Sequence, residues 1–149
     1  MPPLFDIRIR NQAQGASLPL PYFKAAVRAI LKILKQKNVA VSILFVGDRR
    51  MQFFNRHYLK HDRTTDVIAF PAGTQVRERS RRLYFLGDIL ISVPTARRQA
   101  RVYGNPLNYE LCFYLCHGIL HLMGYRDKTQ KEAIRMQRLQ QKILKQIGV

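Results

Sequence analysis

The stretch of sequence that organises this chain is His117-Gly118-Ile119-Leu120-His121-Leu122-Met123-Gly124-Tyr125-Arg126-Asp127. Two histidines four residues apart on a helix lie one turn above each other on the same face, so both imidazoles can reach one ion. Gly124 follows where a helix end often needs a left-handed turn, and that turn would bring Asp127 back as a third ligand. Three protein ligands and an open position are typical of catalytic zinc sites, so we predict a metal ion held by His117, His121 and Asp127.

The length and composition of the chain favour one folded domain. It has 149 residues, of which 47% are hydrophobic, enough for a core of its own. No run approaches the roughly 18 apolar residues of a membrane helix, and residues 4–10 alternate apolar and charged side chains, unlike a signal peptide. We therefore expect a single domain over residues 1–149, no membrane partner and a cytoplasmic location. Cys112 and Cys116 lie four apart in an apolar helix and are interpreted as reduced core residues without a disulfide partner.

Positive charge is the second strong signal. The chain has 26 Lys and Arg against 9 Asp and Glu, a net charge of +17. Such an excess favours a polyanion, because Lys and Arg neutralise phosphates and release counterions. A solvated basic surface is the alternative, and charge alone does not separate RNA from DNA. The residues predicted to contact nucleic acid come from two basic clusters: Lys60, Arg63, Arg77, Arg79, Arg81 and Arg82.

Hydrophobic periodicity predicts alternating strands and helices as far as Ser92. The predicted strands are residues 4–10, 39–46, 67–70 and 85–92, and the predicted helices are residues 20–36 and 48–58. Asp48 is the expected cap of the second helix. The segment between the last two strands is roughly a dozen residues, longer than an ordinary hairpin turn, so we expect a loop there.

The chain after Ser92 is predicted to be helical. Ser92 opens a short basic helix, and Asn105 is the expected cap of the helix that carries the two histidines. Thr129 and Glu132 form a capping-box pattern at the start of the last helix. The expected fold class is α+β, a small mixed β-sheet of about four strands packed with about five helices, with the metal site at the end of a helix in the C-terminal half.

Three sequence motifs, in this order along the chain, resemble those of the YbeY-type endoribonucleases. The family's Asn-x-x-Tyr block ending in Asp-Val-Leu-Ser-Phe-Pro corresponds to residues 55–71, and its Leu-Gly-Asp-Ile-x-Ile-Ser block matches residues 86–92. Its His-Gly-x-Leu-His-Leu-x-Gly-Tyr/Phe signature matches residues 117–125. The resemblance implies a metal-dependent, single-strand-specific endoribonuclease in ribosomal RNA maturation and ribosome quality control. It also implies one zinc ion, or another divalent transition metal, per chain, and ribosomal RNA or ribosomal subunits as partners.

Two positions depart from the family pattern. The third ligand, a histidine in most of the family, is Asp127 here, so the liganded site would keep a net charge of about +1 rather than +2. We expect metal binding to persist and the choice of ion to broaden. The arginine that follows the family's tyrosine, and which the resemblance implicates in activity, is Leu59 here. Lys60 or Arg63 could contact a phosphate instead, but neither places a bidentate guanidinium group at this position.

Two other functions stay open at this stage. The first is a non-catalytic, RNA-binding ribosome-assembly factor with a structural metal, which the Leu59 departure favours. The second and weaker one is a zinc peptidase, whose His-Glu-x-x-His helix carries a glutamate base where this chain has Gly118. Asp66, Asp88 and Glu110 are possible general bases, but acids beside strands more often cap turns or pair with arginine, so no catalytic residue is assigned.

Overall fold

The computed structural model describes residues 2–59 and 66–149, with only the backbone of Tyr58 and Leu59. The sheet has four strands, β1 (Phe5–Asn11), β2 (Val39–Val46), β3 (Val67–Glu78) and β4 (Arg81–Ser92). Their order is β1-β2-β4-β3, with β1, β2 and β4 parallel and β3 antiparallel to β4. The predicted mixed four-stranded sheet is confirmed.

The described residues form five α-helices, as predicted. They are α1 (Leu20–Ile33), α2 (Asp48–Phe54), α3 (Val93–Tyr103), α4 (Leu107–Leu122) and α5 (Gln130–Gln146), and a π-helical turn over Asn55–Leu59 continues α2. Helix α4 packs against β3 and β4 and also contacts α1, α3 and α5. Its residues Leu111, Leu115 and Ile119 are fully buried in the main core. No helix in the two described ranges is long and apolar enough to cross a membrane.

The arginine-rich segment is a β-hairpin, so the predicted loop is wrong. Strands β3 and β4 extend to Glu78 and Arg81 and are joined by Arg79 and Ser80 alone. Both turn residues have positive φ, 49° and 64°, as a two-residue type I′ turn requires. The turn lacks the Asn-Gly or Asp-Gly pair that usually marks it, so the sequence pattern underestimates the lengths of both strands.

Two predicted helix caps are also wrong. Gly47 occupies the N-cap of α2, and Asp48 is the first helical residue. Pro106 occupies the N-cap of α4, whereas the Asn105 amide nitrogen donates to Oε1 of Glu110 at 2.8 Å. In both cases the polar side chain binds another side chain instead of the free N–H groups of its own helix.

The other two caps are confirmed. The Ser92 hydroxyl accepts a hydrogen bond from the Thr95 amide at 3.2 Å and caps α3. Thr129 and Glu132 form the reciprocal bonds of a capping box, each 3.1 Å long, at the start of α5.

Asp48 accepts a hydrogen bond from the Ser92 hydroxyl at 3.1 Å, which connects α2 to the start of α3.

Helix α4 runs antiparallel to β4 and in close contact with it. A Cβ atom on Gly118 would lie 2.7 Å from Cγ2 of Ile89, and one on Gly87 would lie 2.9 Å from Cδ2 of Leu122. Only a glycine lets the helix approach the strand this closely. The C-terminal end of α4 therefore points towards the end of the sheet from which the β3–β4 hairpin projects.

Candidate metal centre

Helix α4 ends in a Schellman motif. The amide of Gly124 donates to the carbonyl of His121, and the amide of Tyr125 donates to the carbonyl of Leu120, both at 3.0 Å. Gly124 has a φ of 95°, which confirms the predicted turn at this glycine. The turn reverses the chain so that the Tyr125 carbonyl and the Asp127 side chain return to the face of α4 that carries the histidines.

The structure brings the three predicted ligand residues together. Nε2 of His117 and Nε2 of His121 are 2.9 Å apart, and Oδ2 of Asp127 lies 3.5 Å and 3.3 Å from them respectively. Ligand atoms that bind zinc tetrahedrally at 2.0–2.1 Å lie about 3.3 Å from one another. The spacing of this His-His-Asp cluster therefore fits a metal ion, and the three residues could hold one.

Hydrogen bonds on the far side of each ring fix the tautomers of both histidines. Nδ1 of His121 lies 3.1 Å from the Tyr125 carbonyl, which can only accept, so this nitrogen carries the proton. Nδ1 of His117 lies 3.2 Å from Oε1 of Gln140, whose Nε2 donates to the Phe113 carbonyl at 3.2 Å. That second bond orients the amide, so its oxygen must accept from His117.

Both Nε2 atoms consequently present lone pairs to each other and to the carboxylate of Asp127. Three electron-rich atoms with no proton between them repel one another, and a cation at their centre removes that repulsion. Burial lowers the pKa of His117 below its usual value, which keeps this imidazole neutral and ready to bind a metal. Bonds from Nδ1 to a carbonyl or an amide oxygen are the usual outer support of metal-binding histidines.

Gln140 is a residue of the candidate site that the sequence pattern did not predict. It lies on α5, is 1% exposed, and supports His117 from a helix that carries none of the three ligands. Its position offered a signal, because it follows Met136 by four residues and precedes Ile143 by three, on the buried stripe of α5. A polar side chain on such a stripe needs a buried partner.

The three acids considered as bases lie in different surroundings. Asp66 contributes to the electrostatic environment of His117 and accepts a hydrogen bond from the Val67 amide at 3.0 Å. Glu110 is 4% exposed and bound by Asn105. Asp88 precedes Ile89, which packs against α4, so its side chain points to the opposite face of the sheet. Only Asp66 is near the cluster, and it carries no assigned catalytic role.

The two cysteines are free and buried in the core, as the sequence predicts. Burial raises the pKa of Cys112 to about 11 and that of Cys116 to about 12. Both thiols are therefore protonated near neutral pH, as expected of unreactive core cysteines.

Four arginines of the β3–β4 hairpin, here called the hairpin arginines, were predicted to contact nucleic acid: Arg77, Arg79, Arg81 and Arg82. Arg81 donates to Oδ1 of Asn38 at 2.7 Å and to the Pro2 carbonyl at 3.2 Å, which anchors the hairpin to the sheet. The other three are exposed and form no ion pair with any described residue. The predicted contacts Lys60 and Arg63 lie outside the described residues.

Gly118 argues against the peptidase alternative. It occupies the place of the glutamate in a His-Glu-x-x-His helix, and it faces Ile89 in the core, away from the three ligand atoms. A glutamate at this position would collide with β4, and glycine itself cannot take a proton.

Comparisons with known proteins agree on one family. The family model described as "Endoribonuclease YbeY" matches residues 8–148. The chain is 37% identical over 142 residues to "Endoribonuclease YbeY" of Persephonella marina, a match that covers 95% of this chain and 92% of that protein. It is 39% identical over 122 residues to the protein of the same name from Myxococcus xanthus, and that match covers 82% of this chain but only 41% of the longer relative. The solution structure of TM1509 from Thermotoga maritima is similar, with a TM-score of 0.62 and 28% identity over 94% of this chain and 90% of that one.

Proposed function

The chain belongs to the YbeY endoribonuclease family, and from this premise we propose that it is a metal-dependent endoribonuclease that cleaves single-stranded RNA in ribosomal RNA maturation and ribosome quality control. Residues 1–149 act as one domain, in the cytoplasm, on ribosomal RNA or ribosomal subunits. His117, His121 and Asp127 hold one zinc ion or another divalent transition metal.

The convergence of two unprotonated Nε2 atoms and a carboxylate oxygen supports this proposal best. Their separations of 2.9 to 3.5 Å suit the ligand shell of one ion. Among the described residues three such side chains converge, and a three-ligand shell has room for a fourth, exchangeable group, which is typical of catalytic rather than structural sites.

Different residues around this cluster have different proposed roles. A bound ion would supply Lewis-acid chemistry and stabilise negative charge on phosphate oxygens. Gln140 and the Tyr125 carbonyl hold the two imidazoles in the ligating tautomer. The exposed hairpin arginines project from the end of the sheet towards which α4 points and would hold the RNA backbone by phosphate contacts.

The test combines metal analysis with an RNA cleavage assay. Metal content is measured by mass spectrometry on purified wild type, His117→Ala and Asp127→Ala, and cleavage of a labelled single-stranded RNA is followed on the same samples. We expect about one ion per wild-type chain, with both the ion and cleavage lost in each variant. Cleavage by wild-type protein that has been stripped of metal would refute the metal-dependent mechanism.

The Leu59 departure favours a second candidate function. A chain without the family's arginine could bind RNA through the hairpin arginines as an assembly factor and use the ion only to fix the turn after α4. In that case the ion is lost from both ligand variants, RNA binding persists, and no sample cleaves RNA. Cleavage by the metal-loaded wild-type protein separates the two candidates, because only the nuclease cleaves RNA.

A further inference from the structure

A cavity of about 450 Å³ lies between α3, α4, α5 and Asp66. We infer that this cavity binds one unpaired nucleobase of the RNA whose backbone lies at the metal centre, an inference that rests on the proposed function. A volume of this size is in the range of pockets that take small ligands. The argument comes from the aromatic rings, the amide groups and the position of the cavity along α4.

Aromatic rings form one wall of the cavity. Tyr109 and Phe113 lie one turn apart on α4 with their ring planes only 25° from parallel and their centroids 6.4 Å apart. Tyr103, at the end of α3, is 68% exposed at the rim. Single-stranded RNA is commonly bound by stacking its splayed bases on such side chains. An exposed tyrosine beside two half-buried rings therefore suits the face of a base.

Amide groups supply the polar side of the cavity. The side chains of Gln99, Gln137 and Gln141 line it, and none of them forms a hydrogen bond within residues 2–59 and 66–149. Each amide offers both donors and an acceptor, the combination found on the edge of a nucleobase. Within residues 2–59 and 66–149 no lysine or arginine lines the cavity, whereas the carboxyl groups of Asp66 and Glu110 do, so its chemistry fits a neutral base better than a phosphate.

The cavity continues the face of α4 that carries the metal ligands. Phe113 precedes His117 by four residues and His117 precedes His121 by four, so these side chains follow each other along one face, with about 5.4 Å per turn. Gln140 is hydrogen-bonded to both the His117 ring and the Phe113 carbonyl. Asp66 lines the cavity and also interacts electrostatically with His117. A base in the cavity would therefore belong to a nucleotide close to the phosphate at the cluster.

The test compares two single-stranded RNA hexamers that differ at one central position. One carries the fluorescent base 2-aminopurine, and the other carries an abasic site there. Binding to the metal-loaded protein is measured by fluorescence quenching and anisotropy, with the integrity of the RNA checked on a gel. The variants are Tyr103→Ala, Tyr109→Leu, which keeps an apolar side chain against the core, and Val102→Ala as a control, because Val102 is 74% exposed and does not line the cavity.

We expect wild type and Val102→Ala to bind the base-containing hexamer at least about fivefold more tightly than the abasic one, the low end of one stacked base. Tyr103→Ala and Tyr109→Leu should reduce that ratio to near one, with metal content unchanged. Equal binding of the two hexamers by wild type, or an unchanged ratio in Tyr103→Ala, would overturn the inference. Cleavage measured on the same samples distinguishes the two proposals. Cleavage without a preference for the base-containing hexamer would refute only the base-binding role of the cavity, and such a preference without cleavage would refute only the nuclease function.

Discussion

Replacing Gln140 by leucine removes the support of His117 without touching a ligand atom. The side chain is 1% exposed, and its amide forms two hydrogen bonds, one accepted from Nδ1 of His117 and one donated to the Phe113 carbonyl. Leucine fills a similar volume but forms neither bond. The ring of His117 is then free to rotate and to exchange tautomers, so that Nε2 no longer always presents a lone pair to the ion.

Two separate effects are expected from Gln140→Leu. A buried polar group left without its partner costs about 1–3 kcal/mol, so the metal-free variant should unfold more easily by about that amount. Removing an outer support typically weakens metal affinity about 10- to 100-fold. When zinc is saturating, a tenfold higher dissociation constant reduces the stabilisation that zinc provides by about 1.4 kcal/mol. The zinc-dependent gain in stability should therefore shrink by about 1.4–2.7 kcal/mol.

The assay is urea unfolding with and without zinc, together with competitive zinc titration. Gln146→Leu is the control, because this residue is an exposed glutamine on the same helix and should leave zinc affinity unchanged. Gln140→Glu should bind zinc more tightly than Gln140→Leu, since a carboxylate still accepts from Nδ1 of His117. Wild-type zinc affinity in Gln140→Leu would refute the role given to this residue.

Four further outcomes are expected. Alanine at the exposed hairpin arginines should weaken RNA binding and lower the salt dependence of the logarithm of the binding constant by about 0.7 for each phosphate that is no longer neutralised, as measured by anisotropy across a series of salt concentrations. Gly118→Ala should destabilise the fold by about 1–3 kcal/mol in urea unfolding, because its Cβ would collide with Ile89, and unchanged stability would contradict the close packing. Cys112 and Cys116 should not react with a thiol reagent at pH 8 until the protein is unfolded, since burial raises their pKa values to about 11 and about 12. A hydrogen bond from Arg98 on α3 lowers the pKa of Asp48 below its usual value of 3.8, so the carboxylate stabilises the fold above that pH and loses the effect as the pH falls. Asp48→Asn should therefore be less stable than wild type in urea unfolding at pH 6, by about 1 kcal/mol or less, and equal to it in strong acid.

The parts of the fold that depend on local spacing were predictable from the sequence. The pairing of His117 with His121 follows from helical periodicity, and the left-handed turn follows from Gly124. The capping box of Thr129 and Glu132 also lies within one turn. In each case the residues that interact are close in sequence, so a pattern of residue types is enough to identify the structure.

The features that sequence did not reveal depend on partners far along the chain. Asp48 is a residue type that often caps helices, yet its carboxylate accepts a hydrogen bond from Ser92 on another element. Gln140 acts on His117 from a separate helix, and no spacing rule relates the two positions. The hairpin turn at Arg79 and Ser80 uses left-handed conformations that these residue types seldom adopt, so it carries no turn signature.

The three candidate ligand atoms all belong to one short segment, residues 117–127. Closing so small a loop costs little chain entropy, whereas the parallel pairing of β1 with β2 and of β2 with β4 joins residues far apart in sequence. If these residues hold zinc as proposed, a chain that refolds in its presence would capture the ion as soon as the end of α4 and its turn have formed, before the sheet is complete. The ion would then act as an early nucleus of folding around α4, and α5 would dock later onto a helix end that is already cross-linked.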